Sequence, residues 1–186
     1  MIPFEEFVAH VNRNNISLSS QIPQSMYETN EYLIENHPNL IEYAVFNGSI
    51  QIFQYLKFNN VDLKSSLWLY AIHSKNAEII HLLEEYNVHP EDESFIKVYT
   101  EAIKCHHNDI ANYIEGNLLN VNKNDKNCNF TEEVSDCCFD YSNYLFLPDD
   151  YNQSYVFFSL CKNNYSNIVN LILKNKKDEI ESTIVF

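Results

Sequence analysis

Glycine is nearly missing from this 186-residue chain, which carries only Gly48 and Gly116. Phosphate cradles built on Gly-rich backbone, the dinucleotide-binding G-x-G-x-x-G and the P-loop among them, are therefore excluded. Basic residues are also scarce: 12 stand against 26 acids, for a formal charge of −14. Such a surface repels phosphate, so no nucleic-acid partner is expected. No apolar run reaches the roughly 18 residues that a membrane span needs, so no membrane partner is expected either. The opening Met1–Glu6 is acidic and has no signal-peptide pattern, so the expected location is cytoplasmic. Five cysteines (Cys105, Cys128, Cys137, Cys138, Cys161) in irregular spacing read as reduced thiols. Neither G-x-S-x-G nor H-E-x-x-H occurs.

What is abundant is core-forming material. Hydrophobic residues make up 45% of the chain and aromatics 14%, which suits a folded domain rather than a disordered tail. That material is arranged in repeats. Glu42–Leu56 aligns without gaps on Leu69–Leu83, and a third copy runs from Ala102-Ile103 to Ile114. A fourth runs from Leu160-Cys161 to Ile172, leaving room for one degenerate copy at 137–147.

The repeated columns have a physical meaning. Ile52, Ile79, Ile110 and Ile168 share one position, and Leu56, Leu83, Ile114 and Ile172 lie four residues later, on the same face of a helix. Ala44, Ala71 and Ala102 mark a small position on a preceding helix, where backbones approach closely. Ser49 and Asn76 fall between the two helices as N-caps. Asn60 and Asn87 follow the second helix and are expected to take the left-handed turn in place of glycine. Each unit is a pair of short antiparallel helices, and such pairs bury their apolar faces only by stacking.

A small pair, a turn and then acid-Ile-Ile-x-Leu-Leu, clearest in Tyr70–Glu85, resembles the ankyrin repeat. The Tyr/Asn-rich, Gly-poor style is similar to the divergent ankyrin-like domains abundant in trichomonad protists, a family of unknown function. The resemblance covers 38–118 well and 154–175 moderately. It departs from ankyrin where Thr-Pro-Leu-His opens the first helix: Ser66-Leu67-Trp68-Leu69 stands there, with no equivalent at Lys97–Thr100. The fold expected is all-α, an ankyrin-like solenoid of stacked antiparallel helix pairs. Capping helices occupy 1–37, with helices at 1–12 and 24–36. Three repeats occupy 38–118, an irregular segment or degenerate repeat 119–153, and a last repeat with an end cap 154–186. Within these, 119–136 reads as a loop and Ile180–Phe186 as a short final helix or the start of a further repeat.

Candidate chemistry is thin. Cys105-His106-His107 is the densest ligand-like group and would hold zinc together with Cys137 and Cys138. No C-x₂-C or H-x₃-H spacing supports that, and the three residues read as an exposed polar turn. Cys161 is assigned to the core and His81 to the surface. The acid pairs Glu84-Glu85, Glu132-Glu133 and Asp149-Asp150 read as solvated surface. Lys174, Lys176 and Lys177 read as a favourable helix end. No catalytic residue, metal or cofactor is assigned.

The function expected is non-catalytic binding of a protein partner through the concave face of the array. The residues that follow each small pair are the candidates: Phe46 and Asn47, His73 and Ser74, Lys104 and Cys105, Lys162 and Asn163. Loop residues Asp62, Leu63 and Ser65 join them. In an open groove Phe46 would be an aromatic anchor, and His73 would be dispensable for stability. The alternatives are a small metal-binding or enzymatic protein with its site near Cys105-His106-His107, and a purely structural part of a larger ankyrin protein.

The Ala column gives the first test. Ala71→Asp puts a charge where helices touch and is expected to cost several kcal/mol. Loss of cooperative thermal unfolding by circular dichroism is the outcome expected, and a melting curve like that of the unaltered protein would refute the column.

Overall fold

The computed structural model describes residues 3–91, 93–119, 130–147 and 153–183, and all the regular structure in them is helical. The chain divides into two compact units, Met1–Asn120 and Val121–Phe186. Among the described residues no helix is long and apolar enough to cross a membrane.

The first unit holds α1 (Phe4–Arg13), α2 (Glu31–Asn36), α3 (Leu40–Phe46), α4 (Ile50–Phe58), α5 (Leu67–Ser74), α6 (Ala77–Glu85), α7 (Ile96–Lys104) and α8 (Asn108–Asn117). Three successive hairpins, α3/α4, α5/α6 and α7/α8, follow the repeats in the sequence. The first helices pack side by side, α3 on α5 and α5 on α7, and each also packs on its own second helix. Ala44, Ala71 and Ala102 are all buried on these first helices, beside Val45, Ile72 and Ile103. Leu56, Leu83 and Ile114 are fully buried on the second helices.

One turn recurs throughout. A residue with positive φ lets the next amide reach back five residues to a carbonyl of the last helical turn, which closes the helix. Ser49 N donates to Ala44 O at 2.8 Å, His107 N to Ala102 O at 3.0 Å, Val61 N to Leu56 O at 3.1 Å and Val88 N to Leu83 O at 2.9 Å. The positive-φ residues are Gly48, His106, Asn60 and Asn87, so asparagine does take the place of glycine after the second helices. Lys75, with φ 55°, occupies the matching place in the middle hairpin.

Side chains tie neighbouring hairpins together. Asn76 caps α6 by accepting from Glu78 N, and its Nδ2 donates to Gly48 O at 3.3 Å. His107 Nδ1 donates to Ile72 O at 2.8 Å. Tyr113 Oη donates to Glu84 Oε2 at 2.8 Å, so Glu84 is engaged rather than merely solvated. Glu42 caps α3 with Asn39 and also accepts from Ser66 Oγ at 2.7 Å. Trp68 is buried, donates to Val88 O at 2.7 Å and meets Phe95 edge-on.

Several expectations need correction. Ser49 sits at the N-cap of α4, but its side chain makes no capping bond. Ile52 and Ile110 are only half-buried, and the position after them (Phe53, Ile80, Ala111) carries the buried column. The helix expected over 24–36 is confined to Glu31–Asn36, and Met26 and Tyr27 are fully solvated. The helix expected over 1–12 is present as α1, whose Phe4 and Phe7 pack edge-on against Tyr55 of α4.

The second unit holds α9 (Phe130–Asp140), a 3₁₀ turn at Tyr144–Phe146, α10 (Gln153–Lys162) and α11 (Ser166–Thr183). Residues 130–136, expected as a loop, open α9, because Phe130, Val134 and Cys138 recur at helical spacing and are buried. The segment 137–147 repeats the recurring turn: Ser142 has φ 57° and Asn143 N donates to Cys138 O at 3.0 Å. Its second helix is cut to the single 3₁₀ turn. After α10 the turn appears again, with Asn164 at φ 59° and Tyr165 N donating to Leu160 O at 2.9 Å. Leu160 is buried, but Cys161 is exposed and Ile168 is 46% exposed. Within its unit α10 packs against α9 and α11. α11 runs on to Thr183, past Lys174, Lys176 and Lys177, so these do not mark a helix end and Ile180 begins no separate helix. Cys128, Asp149, Asp150 and 184–186, together with the loop expected at 120–129, lie outside the described residues.

Gly48 is the glycine that the repeat geometry requires. Its φ is +64°, and a Cβ there would lie 3.3 Å from Asn76 Nδ2, on the tie between hairpins. Gly48→Ala is expected to lower stability by about 1–2 kcal/mol. Chemical denaturation checks this, and an unchanged midpoint would be the contrary result.

Candidate functional site

The candidate residues separate into three places. Phe46, Asn47, His73, Ser74, Lys104 and Cys105 lie at the C-terminal ends of α3, α5 and α7. Asp62, Leu63 and Ser65 lie in the loop that leads into α5. An eight-residue helix such as α5 is about 12 Å long, so these two groups flank its opposite ends. Lys162 and Asn163 belong to the second unit, where Lys162 Nζ pairs with Asp140 at 3.5 Å and Asn163 Nδ2 donates to Ser159 O.

The first group forms a polar knot under an aromatic lid. Tyr32 of α2 lies over it, with its ring centroid 4.1 Å from His73, 5.3 Å from Tyr70 and 6.3 Å from Phe46. Phe46 stacks on His73 at 5.5 Å. His73 Nε2 donates to Glu101 Oε1 at 3.0 Å, and Lys104 Nζ donates to Glu101 Oε2 at 3.3 Å. Cys105 Sγ is 3.8 Å from both His73 Nδ1 and Glu101 Oε1. The His73 and Glu101 side chains are only 17% and 14% exposed. Tyr32 of α2 covers part of the open groove expected here, and Phe46 and His73 are half-buried beneath it. Ser74 is spent in its own turn, bonded to Ala71 O and Asn76 N. Asn47 is exposed, and its Nδ2 donates to Tyr43 O.

Charge follows from this burial. Burial alone would raise the Glu101 pKa, but the hydrogen bond from His73 and the Lys104 charge outweigh it and hold the carboxyl below its ordinary range. Burial and the Glu101 charge push the Cys105 thiol up to about 11, so it is a neutral thiol near neutral pH. Burial, with Glu42 nearby, pushes Tyr70 up to about 12, and burial beside Tyr70 and Glu101 raises Tyr32 as well.

Cys105-His106-His107 is not an exposed tip as a whole. His106 is exposed, but Cys105 is half-buried and His107 turns to the Ile72 carbonyl. The ligand-type atoms that do converge belong to His73, Glu101 and Cys105, all within 4.8 Å of one another. The sequence holds the signal for this grouping. The second and third repeats are offset by 31 residues, so His73 shares its position with Lys104, and Glu101 and Cys105 flank that position on one helix. Cys105, Cys138 and Cys161 are free thiols.

The loop group lines an open recess of about 390 Å³. Asp62, Leu63 and Ser65 face Lys57, Tyr86 and His89 across it, and Lys57 Nζ lies 5.6 Å above the Tyr86 ring. Family models, curated proteins and solved structures were all compared with the chain, and none of them matches.

His73 joins α2, α3, α5 and α7, so its truncation has a structural cost that an open groove would not impose. His73→Ala is expected to lower stability by about 1–2 kcal/mol, through lost ring contacts and a half-paired Glu101. An unchanged melting temperature in a thermal scan would show that the ring bears none of this packing.

Proposed function

We propose that the chain is a non-catalytic protein-interaction module, an ankyrin-like solenoid that presents side chains on rigid hairpins to a protein partner in the cytoplasm. The observation that carries this reading is the recurrence of one hairpin three times, with buried Ala44, Ala71 and Ala102, buried Leu56, Leu83 and Ile114, and a left-handed residue between the paired helices, while the residues between them vary. A one-dimensional array of this kind supports an extended recognition surface without any chemistry. Half-burial of Phe46 and His73 under Tyr32 shifts the proposed contact surface. It is centred on Asp62, Leu63 and Ser65 and the recess they line, with Asn47 and Lys104 as further polar contacts at the far ends of the first helices. Lys162 and Asn163 form a separate candidate patch on the second unit.

An enzymatic reading has one arrangement in its favour, the Cys105–His73–Glu101 grouping, which has the composition of a nucleophile, base and orienting acid. The electrostatics oppose it. Nucleophilic cysteines have lowered thiol pKa values, whereas Cys105 is pushed upward and sits beside a carboxylate.

The test is capture of partners from native lysate with the full chain as bait, run beside a bait carrying Asp62→Lys, Leu63→Glu and Ser65→Glu. The module reading expects a specific protein that the altered bait loses at unchanged helicity. Identical capture by both baits would remove the recess from the reading, and no specific protein on either bait would remove the reading itself.

A further inference from the structure

We propose that His73, Glu101 and Cys105 are a binding site for a thiophilic divalent cation, with Zn²⁺ the best match, and that the ion clamps α5 to α7. The ligand set is one imidazole nitrogen, one carboxylate oxygen and one sulfur, and the three atoms lie within 4.8 Å of one another. Zinc bonds of about 2.0–2.3 Å in tetrahedral geometry put neighbouring ligand atoms roughly 3.3–3.6 Å apart. His73 Nε2 meets Glu101 Oε1 at 3.0 Å, His73 Nδ1 meets Cys105 Sγ at 3.8 Å, and Cys105 Sγ lies 3.8 Å from Glu101 Oε1. One imidazole nitrogen must serve the ion, so closing from the 4.8 Å span asks for side-chain movements on the order of one ångström.

The site is held in place by its surroundings. Glu101 lies on α7, and Cys105 is the C-cap of α7 one turn later, so the two share a face. Lys104 holds Glu101 Oε2, which leaves Oε1 directed at His73 and Cys105. Tyr32 and Phe46 pack against the His73 ring and fix its plane. Outer contacts of this kind orient metal ligands. The mixed sulfur, nitrogen and oxygen set disfavours Mg²⁺ and Ca²⁺, which bind through oxygen, and suits Zn²⁺. Binding exchanges the Cys105 thiol proton for the ion and forms a zinc–thiolate bond with no change of oxidation state; the proton leaves to solvent. Water completes the fourth position.

The test uses the full chain, reduced and stripped of metal with EDTA, then titrated with Co²⁺ followed by Zn²⁺. Expected is a thiolate-to-cobalt charge-transfer band that saturates near about one ion per chain. Zn²⁺ should bleach it and raise the melting temperature. Cys105→Ser should abolish the band, Glu101→Gln should weaken Co²⁺ binding at least about tenfold, and Cys161→Ser, at an exposed thiol, should leave it intact. No band with the unaltered chain, or a band that survives Cys105→Ser, overturns the proposal. If Cys105→Ser loses helicity, alkylation of the unaltered protein decides: Zn²⁺ should slow iodoacetamide attack at Cys105 at least about tenfold, and an unchanged rate overturns the site.

Discussion

Close lateral packing of the first helices is the constraint on which the first unit depends. α3, α5 and α7 approach one another at Ala44, Ala71 and Ala102, and the residue after each alanine is buried with it. A small side chain there admits the neighbouring helix, and the larger one beside it fills the space on either side. Everything else in the unit serves that approach. Left-handed residues Gly48, Lys75 and His106 occupy the same place in the three hairpins. Leu56, Leu83 and Ile114 are fully buried on the second helices, each of which packs on its own first helix.

Polar groups set the register of that packing. Buried apolar contacts are indifferent to small slips, but hydrogen bonds are not. Glu42 with Ser66, Asn76 with Gly48, His107 with Ile72 and Tyr113 with Glu84 each join one hairpin to the next. Trp68 and the Val88 carbonyl add a buried bond within the same framework. The His73–Glu101–Lys104 group belongs to the same series. It differs in bringing a thiol into the contact and in being roofed by aromatic rings. A structural tie between hairpins and a metal clamp are compatible roles for it, since both hold α5 against α7.

Much of this was legible in the sequence, because the signals were local and repeated. Ala71, Leu83 and Asn87 each occupy a column with a single physical demand: a small residue at a helix contact, an apolar residue four positions on, a residue that tolerates positive φ. What was illegible depended on segments distant in the chain. Nothing around Tyr32 announces that its ring will cover Phe46 and His73, because that contact joins α2 to α3 and α5 and has no counterpart in the repeats. The fourth copy misled for a related reason. Its spacing matches the others, but burial of Cys161 and Ile168 depends on what packs against α10 and α11, and spacing does not encode neighbours. Phe130 to Cys138 hid a helix because polar residues separate its apolar stripe, a pattern that reads as loop until its period is counted.

Nuclear Overhauser contacts between rings on adjacent hairpins measure the stacking most directly. The account predicts cross-peaks between the ring protons of Phe46 and His73, of Trp68 and Phe95, and of His81 and Tyr113, whose centroids are 5.5, 4.9 and 5.4 Å apart. With a single Trp in the chain, the Trp68 resonances are unambiguous. A well-dispersed spectrum in which these pairs show no cross-peaks would contradict the stacked arrangement of the three hairpins.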